Sequence, residues 1–215
     1  MHARSGLMPT YFLSRTYRDI WRAVEIQKRM EELTENKDER LALRLSSMLL
    51  LFMSFEAYLN HLGETIVPDI WKKERKNFNG RTEIDGETYP GPLGKYTYLQ
   101  RRCGILDDSV ASEIKIVEEL KKFRDLLAHG KTEEGQTSYS CKQGDFPKIY
   151  TPKVWEMINS DLLSRSFLAI KSLFCTTHCA MLTAFPDSGL ESSPFVSSFI
   201  QASDVISTEE QRMSS

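Results

Sequence analysis

The feature that most constrains the fold is the apolar-rich stretch Leu41 to Ile66, which contains neither Gly nor Pro before Gly63. Apolar residues fall on most faces of a helix wound through it, so that helix must be enclosed by others rather than laid on a surface. Its most apolar part, Leu45 to Phe55, is uncharged for eleven residues, short of the roughly 20 that a membrane span requires. The reading is a central core helix, with no membrane partner.

The flanking sequence supplies helices to cover it. From Tyr11 to about Leu33, Phe12, Ile20, Val24, Ile26, Met30 and Leu33 recur among charges at a helical period, with Trp21 adding bulk. The polar run Thr34 to Arg40 separates this helix from the central one, and Pro68 ends the latter. A short amphipathic piece, Asp69 to Lys76, precedes a stretch rich in Gly and Pro, Asn77 to Gly94, that reads as loop. Lys95 to Arg102 forms a further short helix. Asp108 or Ser109 caps the next, in which Val110, Ile114, Val117, Leu120 or Lys121, Phe123 or Arg124, and Leu127 keep helical spacing until Gly130 stops it.

Thr137 to Cys141 and Asp145 to Tyr150 then read as a small β-hairpin. Thr151-Pro152 starts a last long helix reaching about Ala184, with Val154, Ile158, Leu162, Phe167 or Leu168, Ile170 and Phe174 inward. The expectation is an all-α fold: a bundle of four or five main helices with a small β-hairpin insertion. At 215 residues the chain holds one ample domain, taken as 1–184, and a tail, 185–215. The tail is Ser-rich, and its five acids and one base give it a net charge of −4. It is expected to be mostly flexible apart from short apolar pieces such as Phe195 to Ile200.

Lys plus Arg number 28 against 30 Asp plus Glu, so no global positive field marks a nucleic-acid binder and any basic surface must be local. Cys103, Cys141, Cys175 and Cys179 include no CxxC pair and follow no secretory segment, which fits reduced thiols in a cytoplasm. Cys175, His178 and Cys179 come nearest to a metal pattern, but three ligands on one helix without a fourth read better as ordinary helix residues. No metal or cofactor is expected.

The chain has no GxxxxGK[ST], GxSxG or HExxH signature, so the usual marks of phosphate-cradling, hydrolase and zinc-protease sites are missing. What remains is the end of the helix before Gly130, Arg124-Asp125-Leu126-Leu127-Ala128-His129. Asp125 and His129 lie one turn apart on one face, whereas Arg124 and His129 are about 140° apart on an ideal helix. Cations in a last helical turn also favour the macrodipole, so Arg and His there serve equally as capping residues. With fourteen Arg and four His in the chain, roughly 0.3 RxxxxH matches arise by chance, so the spacing needs context.

That context resembles the HEPN superfamily of helical bundles, whose signature is R-x4-6-H near a helix end with a polar residue after the Arg. The resemblance extends over about residues 40–180 and includes a polar interruption in the long central helix, Ser54 to His61, with Glu56 and Asn60 one turn apart. It implies metal-independent RNA cleavage or, in members that have lost activity, RNA binding or a structural role; several members are toxins or antiviral-defence proteins. It also implies a homodimer, with RNA and a regulatory protein as partners. Two departures stand out: Asp125 replaces the commoner Asn, and Lys131 stands where one toxin–antitoxin subgroup has Tyr.

The chemistry also follows from the residues. Attack of an RNA 2′-hydroxyl on its neighbouring phosphorus needs proton removal, protonation of the leaving group and stabilisation of an anionic phosphate. His129 is the candidate acid or base, Arg124 the planar cation for phosphate, and Asp125 the orienting carboxylate. One copy supplies one proton-transfer group where the reaction wants two, so a C2 dimer would complete the site. Glu56 and Asn60 are secondary candidates, more often buried hydrogen-bonding residues than catalysts. His61 and His178 read as structural or solvent-facing.

Overall fold

The computed structural model describes residues 16–129 and 153–195. Helix α1 (Thr16–Leu33) runs into α2 (Lys37–Ile66), followed by the short α3 (Pro68–Trp71) and α4 (Glu74–Asn77). Strands β1 (Glu83–Ile84) and β2 (Glu87–Thr88) form a two-stranded antiparallel hairpin, and α5 (Gly91–Arg102), a 3₁₀ turn (Asp107–Ser109) and α6 (Ala111–His129) follow. Helices α7 (Lys153–Asn159) and α8 (Leu162–Ala184) complete the order. The fold is all-α with a small β-hairpin.

Helix α2 starts at Lys37, four positions before the expected Leu41, because Asn36 caps it: its side-chain oxygen accepts from the backbone N–H of Asp38 at 2.9 Å and Glu39 at 3.4 Å. The polar run thus serves as the first turn of the helix as well as its separator. Met48, Leu51, Phe52, Phe55, Tyr58, Leu59 and Leu62 of α2 are buried, which places this helix at the centre. By length and composition both α2 and α8 could cross a bilayer. In the fold they meet through Tyr58 and Phe174, with ring centroids 4.0 Å apart.

Helix α1 carries two apolar stripes. Tyr17, Trp21 and Val24 are buried against the bundle, whereas Ile26, Met30 and Leu33 face outward. Helical period describes both stripes and cannot say which meets a partner. Polar ties fix the α1–α2 register: Arg44 Nε to Glu31 Oε1 at 2.6 Å, and Ser54 Oγ to the Tyr17 carbonyl at 3.2 Å. In α6 the core side falls on Val117, Leu120 and Phe123, all fully buried, which leaves Lys121 and Arg124 on the flank.

The expected single helix to Ala184 is instead two, α7 and α8. Ser160 breaks it: its hydroxyl donates to the Met157 carbonyl at 2.6 Å and accepts from the Leu162 N–H at 3.1 Å. Apolar spacing runs unbroken through Ile158 and Leu162, both buried, so the break leaves no mark on the hydrophobic pattern.

The hairpin lies in the stretch expected to be loop. Asp85 and Gly86 both take positive φ, 55° and 84°, and make the two-residue turn between Ile84 and Glu87. The hairpin expected at Thr137–Tyr150, and the Gly130 and Thr151-Pro152 helix signals, lie outside the described residues.

Part of the expected tail is packed on the bundle. The Arg18 guanidinium donates to the carbonyls of Ser193 and Pro194, each at 3.0 Å, and pairs with Glu191. His178, buried on α8, has Nε2 2.6 Å from the Glu191 carbonyl and Nδ1 3.3 Å from the Tyr58 hydroxyl. Phe195 lies against Trp21 and Phe174. Residues 196–215 lie outside the described residues.

Candidate functional site

The site grows from two helices that cross at the core. Phe52 and Phe55 of α2 and Phe123 of α6 are all fully buried. The next residue on each helix, Glu56 and Arg124, therefore emerges at the rim of the same seam. The Arg124 guanidinium lies over the Phe52 ring, 4.8 Å from its centroid, a stacking that a planar cation favours. One terminal nitrogen donates to Glu56 Oε1 at 3.4 Å, and the other lies 3.0 Å from Asp125 Oδ1. Asp125 Oδ2 in turn accepts from Lys121 Nζ at 2.6 Å, one turn earlier on α6.

The seam continues along α2. Asn60, one turn beyond Glu56, accepts from Lys95 Nζ at 2.8 Å and from Trp71 Nε1 at 3.3 Å. Lys95, on α5, is buried and also pairs with Glu74 of α4. Its charge therefore sits inside the protein only because Asn60 and Glu74 solvate it. Asn60 thus accepts two hydrogen bonds in this arrangement.

Glu56 is electrostatically perturbed within the seam. Burial pushes its carboxyl above the usual glutamate range, and the neighbouring Arg124 and Lys95 only partly counter this. Arg124 and Glu56 keep 30% and 34% of their side-chain surface, so a solvent-borne anion can reach the pair. The buried Nε of Arg124 meets no hydrogen-bond acceptor among the described residues, a condition uncommon enough in folded proteins to mark a position under functional or steric demand.

The sequence-expected residues are thus drawn together in part. Arg124, Asp125, Glu56 and Asn60 form one polar seam. Asp125, expected to orient His129, pairs with Lys121 and with Arg124. His129 ends α6, and its side chain lies outside the described residues. Sequence reasoning missed Lys95, Glu74 and Phe52. Lys95 follows Gly94, where a side-chain carbon would fall 2.2 Å from the Tyr89 carbonyl carbon. That close approach seats α5, but the sequence signals only a loop there.

No protein-family model, curated protein or solved structure matches this chain. The geometry of the seam therefore carries the functional argument alone.

Proposed function

We propose that this chain is a metal-independent endoribonuclease of the HEPN-like kind, acting as a cytoplasmic homodimer in a toxin or antiviral-defence setting. The observation that carries the reading is Arg124: a stacked, partly exposed guanidinium in the closing turns of α6, five positions before His129, held by a carboxylate that burial makes reluctant to stay ionised. An incoming phosphate replaces Glu56 as its acceptor, and two phosphate oxygens match the planar fork. The 2′-hydroxyl loses its proton to His129 of one copy and bonds to phosphorus. The P–O5′ bond breaks, and His129 of the other copy protonates the leaving oxygen. The products are a 2′,3′-cyclic phosphate and a 5′-hydroxyl.

One observation favours a second reading, a catalytically inert RNA-binding or protein-interaction module: carboxylates already engage Arg124 on both sides. Arg124→Lys separates the two. Lysine keeps the charge and serves an ion pair with Glu56, but loses the fork that grips phosphate, so the ribonuclease loses cleavage while an inert module keeps its stability and its binding. Mixing parent with His129→Ala subunits tests the composite site. Activity that falls as the square of the parental fraction supports a site needing His129 of both copies, whereas activity that falls only in proportion to that fraction overturns the sharing.

A further inference from the structure

The sequence balance excludes a global positive field, yet one segment departs sharply from it. Residues 72–81 carry five bases, Lys72, Lys73, Arg75, Lys76 and Arg81, against one acid, Glu74. All five bases are exposed. Glu74 is drawn away from them by the buried Lys95. Lys73, Arg75, Lys76 and Arg81 make no ion pair among the described residues, and Lys72 has only an exposed pairing with Asp69 at 2.9 Å. Such exposed pairs are weak and screened by salt.

The patch is mounted on buried residues. Trp71, Asn77 and Phe78 are its buried anchors, with the Trp71 and Phe78 rings 4.8 Å apart. Asn77 Nδ2 donates to the Ile70 carbonyl at 2.8 Å, which ties α4 back to α3. Through Glu74, Lys95 and Asn60 the mount is joined side chain by side chain to α2, one turn from Glu56. The acidic hairpin residues Glu83, Asp85 and Glu87 bound it on the chain's far side.

We infer that Lys73, Arg75 and Lys76, with Lys72 and Arg81 beside them, form a binding track for the phosphodiester backbone of single-stranded RNA leading to the Arg124 seam. The inference deepens the ribonuclease reading and rests on it for the choice of RNA. No ring of this segment is exposed, since Trp71 and Phe78 are buried. The track thus offers charge without base stacking, and it binds without sequence preference.

The test is fluorescence anisotropy of labelled oligouridylate with the full chain carrying His129→Ala, in EDTA, across a salt series. Each phosphate contact on a single strand contributes about −0.7 to the slope of log affinity against log salt. Lys73→Gln/Arg75→Gln/Lys76→Gln should therefore flatten the slope by about 2. Between about 50 and 200 mM salt the parent then loses about 20-fold more affinity than the variant. Arg29→Gln/Lys37→Gln/Lys115→Gln, which removes three exposed bases elsewhere, should leave the slope unchanged. Oligoadenylate should bind as oligouridylate does.

An equal slope in the patch variant and its parent overturns the track, as does preference for phosphatidylserine vesicles or polyglutamate over RNA. Failure of the ribonuclease reading is distinct: the chain with His129 intact leaves RNA uncut in EDTA, while the patch still gives the expected slope change.

Discussion

Gly63 gives the sharpest test of how the α3–α4 platform is seated. A β-carbon at this position would stand 2.0 Å from Trp71 Cε2 and 2.1 Å from Cδ2, where carbon atoms at rest need about 3.5 Å. The indole would have to retreat by about 1.5 Å. It has nowhere to go, because it packs on Phe78 and Tyr98 and donates to Asn60. Helix propensity alone favours Ala over Gly by about 1 kcal/mol. Overpacking opposes it by about 1–3 kcal/mol, and outright expulsion of a buried tryptophan costs about 3–5 kcal/mol. With the indole unable to retreat the larger cost applies, and the balance for Gly63→Ala is a net loss of roughly 2–4 kcal/mol, or a fall in Tm of roughly 4–16 °C for a domain of this size. Thermal melts followed by circular dichroism and tryptophan emission read both parts. Trp71 and Trp21 are buried while Trp155 is 42% exposed, so release of Trp71 adds a red shift. A Tm equal to or above that of the parent, with unchanged emission, refutes the packing argument.

Three further outcomes follow from the same structure. Glu56 has its folded pKa raised by burial, so the folded state holds its proton more tightly than the unfolded chain does, and stability is lost as pH rises through the folded value. Denaturation against pH, from about the ordinary glutamate pKa of 4.3 upward, should show this loss in the parent and not in Glu56→Gln. Arg18→Ala removes two hydrogen bonds and an ion pair to the 191–194 segment, and limited proteolysis should cut after the α8 end faster, with a stability loss of about 1–3 kcal/mol. The Cys103 thiol, pushed up to about 11 by burial, should react with iodoacetamide at mildly alkaline pH more slowly than exposed Cys175 and Cys179, as peptide mass mapping would show.

The fold was legible where burial is continuous. Leu45 to Phe55 reads as core, and Leu51, Phe52 and Phe55 are fully enclosed, although Met53 in the same run is 50% exposed. What escaped are features written in hydrogen bonds rather than hydrophobicity. Asn36 extends α2 through a run that reads as a break, and Ser160 interrupts α7–α8 while the apolar period continues. The Asp85-Gly86 turn signal was present, but its flanks Glu83, Glu87 and Thr88 lack the apolar alternation that marks a strand. At the site, the helical period left Phe123 and Arg124 as alternatives, and packing decided that Phe123 enters the core while Arg124 lies at its rim. The meeting of Arg124 with Glu56 links residues 68 positions apart, a separation at which one sequence holds no pairing signal. Lys95 was invisible because a buried lysine is defined by partners, here Asn60 and Glu74, that only the fold assembles.

The proposed ribonuclease turns on Arg124 and His129 cutting RNA by 2′-hydroxyl attack. The most direct measurement is end-group analysis of RNA incubated with the full-length chain in EDTA, beside His129→Ala and a substrate with 2′-deoxy sugars. Expected are cleavage by the parent to 2′,3′-cyclic phosphate and 5′-hydroxyl ends, an intact 2′-deoxy substrate, and a rate about 10²–10⁴-fold lower for His129→Ala. Cleavage by His129→Ala at the parent's rate, cutting of the 2′-deoxy substrate, or intact RNA with the folded parent would contradict it.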